Sequence, residues 1–186
     1  MNIRKANIPD SKQIAPILLL AMEDLIYKFI AKKDYAAAKD FLQYFVEREN
    51  NQYSYQNCFV AEADNEIIGA VNIYNGADLE ALRMPIVEYV RANFNPEFDP
   101  EFETRAGEFY IDTLGVNPNQ QGKGIGSKLL LFLIDEYVHK NNETLGLLVD
   151  EDNPLAKNLY LKIGFKVVGE KTLVGKKLDH LQISPN

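Results

Sequence analysis

The sequence has one cysteine, Cys58, two histidines and no tryptophan among its 186 residues. A single cysteine permits no intramolecular disulfide and excludes a cysteine-based metal cage. Cys58 stands in the apolar strand pattern CFVAEA and reads as core packing. Long apolar runs are missing too: Ile14–Met22 and Leu129–Ile134 are the longest, well short of the roughly 18 residues that cross a bilayer. Met1 leads straight into a polar stretch, so the expected address is the cytoplasm, without a membrane partner. Nor is there an excess of positive charge. Twenty Lys plus Arg against 27 Asp plus Glu give a formal charge of −7, which disfavours phosphate backbones and anionic surfaces. No nucleic-acid partner is expected, and a cationic or amine substrate suits the balance better.

No Ser/Gly linker or low-complexity tract divides the chain, and 46% hydrophobic residues suffice for a sizeable core. One compact domain over residues 1–186 is expected. Strand patterns at Asn2–Ala6, Cys58–Ala63, Ile67–Tyr74, Glu108–Val116 and Thr144–Val149, with two more between Phe165 and Ile183, alternate with helical periods. Asp10 is the expected N-cap of the first helix, with Pro16 bending it or sitting early in it, and Tyr35–Glu49 repeats the helical period. Asp64 and Asn65 predict a hairpin turn. Residues 76–107 read as an insertion: a helix around Ile86, Val87 and Val90, then the acidic stretch NPEFDPEFE. That stretch reads as a solvated loop, with a lid over a cationic substrate as the other reading. The sum is an α/β fold with a mixed six- to seven-stranded sheet flanked by helices.

The informative unit is the strand EFYIDTLGV, a loop with Gly122, Gly124 and Gly126, and the helix that follows. Glycines let a backbone approach a ligand closely, and a helix start offers unpaired N–H groups with the positive end of its dipole. Such a turn can cradle a pyrophosphate. The pattern GxxxxGK[ST] fails, because Asn117 holds the leading glycine position, and GxGxxG fails at Ser127. What matches is QxxGxG, written Gln121, Gly122, Lys123, Gly124, Ile125 and Gly126. A second segment, NPLAKNLYLKIGF from Asn153 to Phe165, follows at a fitting distance.

With these two ordered motifs the sequence resembles the GNAT superfamily of acetyl-CoA-dependent N-acetyltransferases. The motifs span residues 108–165, and the order of elements agrees with the family fold over nearly the whole chain. The resemblance implies a mostly antiparallel sheet with a splayed parallel central pair. It implies acetyl-CoA as co-substrate, without a metal, and an amine acceptor that attacks the thioester directly. It places the pyrophosphate on the N–H groups from Gln121 to Ser127, with Lys123 either touching phosphate or solvated, and the pantetheine arm beside Leu114 and Val116. Asn153 is implied to touch the coenzyme arm or to cap the next helix. Tyr160 matches the family tyrosine that serves the departing thiolate. Reference pKa values near 10 and 8.5 make full proton transfer uphill by about 2 kcal/mol, so a hydrogen bond serves as well as a proton.

Tyr110 and Asp112 match positions where family members carry a base, and spacing by two puts them on one strand face. An ordinary Asp and a lysine-like amine differ by about 6.5 units, roughly 9 kcal/mol, so Asp112 is expected to orient the ammonium and act through water. His139 and His180 are left unassigned. A catalytically silent acetyl-CoA sensor is the alternative function. The acceptor and the oligomeric state, a homodimer among the options, are not specified by the motifs.

Overall fold

In the computed structural model, which describes residues 1–185, the chain opens with strand β1 (Asn2–Lys5) and helix α1 (Ser11–Phe29). Ile14, Leu18, Met22 and Ile26 repeat at the helical period and are buried. Asp10 does not cap α1, contrary to expectation. Its carboxylate bonds Arg4 and the N–H of Asn7, closing a 3-10 turn over Ile8–Asp10 one step earlier. The helix is interrupted not at Pro16 but at Met22 (φ −136°, ψ 21°), where Met22 Sδ lies 3.6 Å from Thr113 Oγ1.

Helix α2 (Tyr35–Val46) is capped by the side chain of Asp34, which accepts from the Ala37 N–H at 3.1 Å. It buries Ala38, Phe41, Leu42, Phe45 and Val46. Strands β2 (Cys58–Ala63) and β3 (Glu66–Asn75) meet at Asp64 and Asn65, whose φ angles of 53° and 62° make the expected tight hairpin. Cys58 is fully buried among these residues, and burial pushes its thiol up to about 12. It packs the core, as its setting in the sequence predicts.

Helix α3 (Leu79–Asn93) leads through an irregular stretch to β4 (Phe109–Val116). Helix α4 (Ile125–Leu133) follows and continues in π-helical turns to Lys140. Strand β5 (Leu145–Asp150), helix α5 (Pro154–Lys162) and strands β6 (Lys166–Leu173) and β7 (Lys176–Ile183) complete the chain. The seven strands form one sheet in the order β1-β2-β3-β4-β5-β7-β6, antiparallel except for β4 and β5. α1 and α2 cover one face, and α4 and α5 cover the other. No helix among the described residues is long and apolar enough to cross a membrane.

The acidic stretch after α3 is exposed at Glu97, Asp99, Glu101 and Phe102, as a solvated loop would be, but Phe98 and Glu103 turn inward. Phe98 is buried against Phe29, their ring centroids 4.6 Å apart, and Arg91 Nε holds the Phe98 carbonyl at 2.7 Å. Glu103 turns inward to Arg83 of α3. Of its two Phe, Phe98 enters the core while Phe102 is half exposed, and of its three Glu only Glu103 turns inward.

α1 sits directly on β4 because Gly115 has no side chain. A Cβ there would overlap the carbonyl oxygen of Ile17, a backbone atom that cannot swing aside. Gly115→Ala is therefore expected to cost about 3 kcal/mol, the upper end for overpacking. Urea unfolding measures this directly, and a loss under about 1 kcal/mol would show that α1 can lift off at no great cost.

Candidate active site

Two irregularities in β4 build the site. The first is where it leaves β5: Phe109, Tyr110 and Ile111 pair with Leu145, Gly146 and Leu147, and no pair follows. Strands that part in the middle of a sheet expose main-chain groups. Which ones can be worked out from the other edge, since Asn117 donates to the Ile68 carbonyl at 3.0 Å. Opposed residues in an antiparallel pair alternate between bonded and unbonded. Asn117 and Gly115 are thus tied to β3, while Leu114 and Val116, opposite Val71 and Gly69, turn their N–H and C=O into the gap.

The second irregularity is a bulge. Asn72 and Ile73 of β3 oppose Thr113 and Ile111, so Asp112 is an extra residue in β4. Up to the bulge Tyr110 and Asp112 face the α1 side, where Tyr74 touches both. Its ring lies 5.9 Å from that of Tyr110, and its hydroxyl donates to Asp112 Oδ2 at 2.8 Å. Past the bulge the alternation is inverted. Thr113 and Gly115 face α1, whereas the Leu114 and Val116 side chains pack toward α4, within 3.4 Å and 3.8 Å of where a Gly126 Cβ would stand.

The glycine loop lies at the end of this strand. Gly122 (φ 76°) and Gly124 (φ 73°) adopt the left-handed conformation that side chains resist, and Gly124 starts α4 with no side-chain cap. The first N–H groups of α4 are therefore free to bind an anion. Val116, Gln121, Gly122, Gly124, Ile125, Gly126, Ser127 and Leu159 line an open groove of about 340 Å³. Lys123 Nζ donates to Oε1 of Gln120, another residue of the groove wall, at 2.8 Å on the surface. Asn153 caps α5, its Oδ1 accepting from the Ala156 N–H at 3.2 Å. Tyr160, on α5, is half-buried against Phe165 in the α4-side core, and burial pushes its phenol above the ordinary value. Tyr160 and the Tyr110–Asp112 pair thus lie on opposite faces of the sheet, with the gap between them.

Around Asp112 the fold assembles a polar network whose other members sequence reasoning missed. Gln52 Nε2 reaches Asp112 Oδ2 at 2.6 Å and Glu103 Oε1 at 2.9 Å, while Gln52 Oε1 accepts from Arg83 Nε at 3.0 Å. Thr113 Oγ1 donates to Asp112 Oδ1 at 2.8 Å. Arg83 also pairs with Glu103 directly and holds the Glu101 carbonyl at 2.7 Å. Burial and the neighbouring Asp112 charge raise the Glu103 carboxyl, against the pull of Arg83. Burial, aided by the same carboxylates, raises the Tyr74 and Tyr110 phenols far above their ordinary value, so both remain protonated donors. Nothing in the sequence joins residues 52, 74, 83 and 103; a buried Arg among apolar helix positions was the one available signal. The three-residue ligand cluster Glu151, Glu170 and Asp179 is occupied by Lys157 and Lys177 and is an ion-pair network.

Comparison with known proteins defines the class first. A solved acetyltransferase structure, 30% identical, superposes over 100% of both chains with a TM-score of 0.83. The family model described as Acetyltransferase (GNAT) family matches residues 22–165, and the chain belongs to that family. Among curated proteins, the N-alpha-acetyltransferase RimI of Mycobacterium tuberculosis is 40% identical over 62 residues, 33% of this chain and 37% of that protein. The spermine/spermidine N(1)-acetyltransferase of Bacillus subtilis is 29% identical over 94 residues, 50% of this chain and 60% of the relative. The chain thus spans less than two thirds of the curated relatives it matches.

Proposed function

We propose that the chain transfers the acetyl group of acetyl-CoA to a primary amine of a small molecule or peptide, by direct attack on the thioester. The observation that carries this reading is the parted β4–β5 edge. Its main-chain positions Leu114 and Val116, unpaired with β5, run into the uncapped start of α4, and only the Gln121 amide reaches the Val116 carbonyl, at 3.5 Å. A pantetheine arm adds to that edge as a strand would, and its pyrophosphate meets the N–H groups between Gln121 and Ser127. Asn153 contributes less, since its side chain caps α5, whereas Lys123 lies beside the groove at Gln120.

The thioester then lies in the gap. The acceptor reaches it from the face of Tyr110 and Asp112, and the thiolate leaves toward Tyr160. Asp112 already accepts three hydrogen bonds and serves to orient an ammonium. Tyr110 walls the same face. A polyamine acceptor, suggested by the name of the Bacillus relative, fits the net charge of −7.

Calorimetric titration with acetyl-CoA and thiol release against an amine panel test the proposal. Binding with transfer is the expected result; binding without transfer to any amine would favour a silent acetyl-CoA sensor instead. Gly126→Glu is expected to weaken coenzyme binding at least 100-fold, about 2.7 kcal/mol, by setting a carboxylate against the pyrophosphate. Its Cβ would meet only ordinary contacts, so thermal stability should hold. Unchanged affinity in this variant would move the donor away from the loop.

A further inference from the structure

Glu108, just before β4, is buried beneath a second cavity of about 240 Å³, walled by Arg105, Gly107, Val168, His180 and Gln182. Its Oε2 lies 2.8 Å from His180 Nε2 and accepts from Gln182 Nε2 at 2.7 Å, while Oε1 accepts from Thr104 at 2.6 Å. Gly146 of β5 leaves the room this requires, since a Cβ there would overlap the Glu108 carboxylate. Burial alone would raise the Glu108 carboxyl, but the bonds from His180, Gln182 and Thr104 hold it below the ordinary range. It is therefore an anion in neutral water. An anion only accepts, so Nε2 of His180 donates to it, and Nδ1 is the ring nitrogen that Glu108 does not engage.

The sheet register sets His180 on β7, next to the strand that borders the gap, with its ring bonded to Glu108. His180 pairs with Leu148, the first β5 residue beyond the last β4 partner, Leu147. Tyr110, Leu148 and His180 share the acceptor face, opposite Tyr160. The charged groups around the ring are Glu108 and Arg105, with the Asp150–Lys176 pair farther along this face and the Glu103–Asp112–Arg83 network beyond Tyr110. The other histidine, His139, lies exposed beside Asp135.

Resting on the N-acetyltransferase reading, we propose that His180 is a catalytic base: its Nδ1 takes a proton from the acceptor ammonium, and Glu108 is the positioning residue that holds the ring. The freed nitrogen forms the C–N bond as the C–S bond breaks. The proton on His180 leaves to solvent through its exposed edge, and the second proton lost from nitrogen ends on the coenzyme sulfur.

Acetyl transfer to spermidine, butylamine and a peptide with a free N-terminus is measured from pH 6.5 to 9.5. For any acceptor the unsubstituted chain uses, H180Q is expected to lower kcat/KM about 100-fold at pH 7, a usual size for general-base catalysis, with acetyl-CoA affinity within twofold. The loss should shrink as pH rises toward about 10, where a primary amine gives up its proton unaided. E108Q should show a smaller loss of the same pH shape, and H139Q none. Should H180Q not fold, E108Q, which keeps the imidazole, decides by that shape. Wild-type kcat/KM in H180Q, or a loss constant across pH, would overturn His180 alone. Absence of transfer by the unsubstituted chain to all three amines would overturn the N-acetyltransferase reading, and this inference with it.

Discussion

Arg83→Met is expected to cost the fold about 3–5 kcal/mol, the usual penalty for removing one member of a buried ion pair. The side chains of Arg83 and Glu103 are only 9% and 14% exposed. Without the guanidinium, Glu103 stays buried beside Asp112, with Gln52 and Tyr74 as its remaining donors. The pH dependence gives the cause away. Burial and Asp112 already hold the folded Glu103 above its ordinary value of 4.5, and losing Arg83 raises it further. A carboxyl raised in the folded state takes up a proton more readily there than in the unfolded chain. The destabilisation is thus full above the folded pKa and fades as pH falls toward 4.5. Urea unfolding at neutral and acidic pH should show that narrowing, and adding Glu103→Gln should restore much of the loss. A deficit below about 1 kcal/mol, flat with pH, would mean that Glu103 is solvated without its partner.

The second large effect concerns turnover. Tyr160→Phe is expected to lower kcat about 10- to 100-fold, roughly 1.4–2.7 kcal/mol, while leaving the affinity for acetyl-CoA nearly unchanged. That is the size of one hydrogen bond to a charged group. Burial raises the Tyr160 phenol, which makes it a poorer proton source and leaves it a sound hydrogen-bond donor to a departing thiolate. Stopped reactions at saturating coenzyme measure kcat, and titration measures affinity. Equal turnover in the two proteins would remove Tyr160 from the mechanism.

What could be read from sequence was local. Asp64 and Asn65 announce their turn because few residues tolerate positive φ. The glycine loop was legible for the same reason. Its two left-handed residues leave a chemical trace at their own positions. The bulge at Asp112 leaves none, because an extra residue in one strand is defined only against its partner. The network around Asp112 draws on Gln52, Tyr74, Arg83 and Glu103, brought together by the sheet and by α3. Glu103 reads as solvated in the sequence because a run of acids looks alike whether or not one of them turns inward. His180 was unassigned for a similar reason: its partner Glu108 lies 72 positions away.

The extra residue in β4 also separates two vocabularies written in one strand. Under the proposed function, side chains at 110 and 112 before it face the acceptor, whereas after it the main chain at 114 and 116 faces the coenzyme and the side chains pack toward α4, because the phase has been reset by one. Changes at 110 or 112 are then expected to alter which amine is acetylated with little effect on coenzyme affinity. Eight consecutive residues can thus retain a fixed donor while the choice of acceptor drifts.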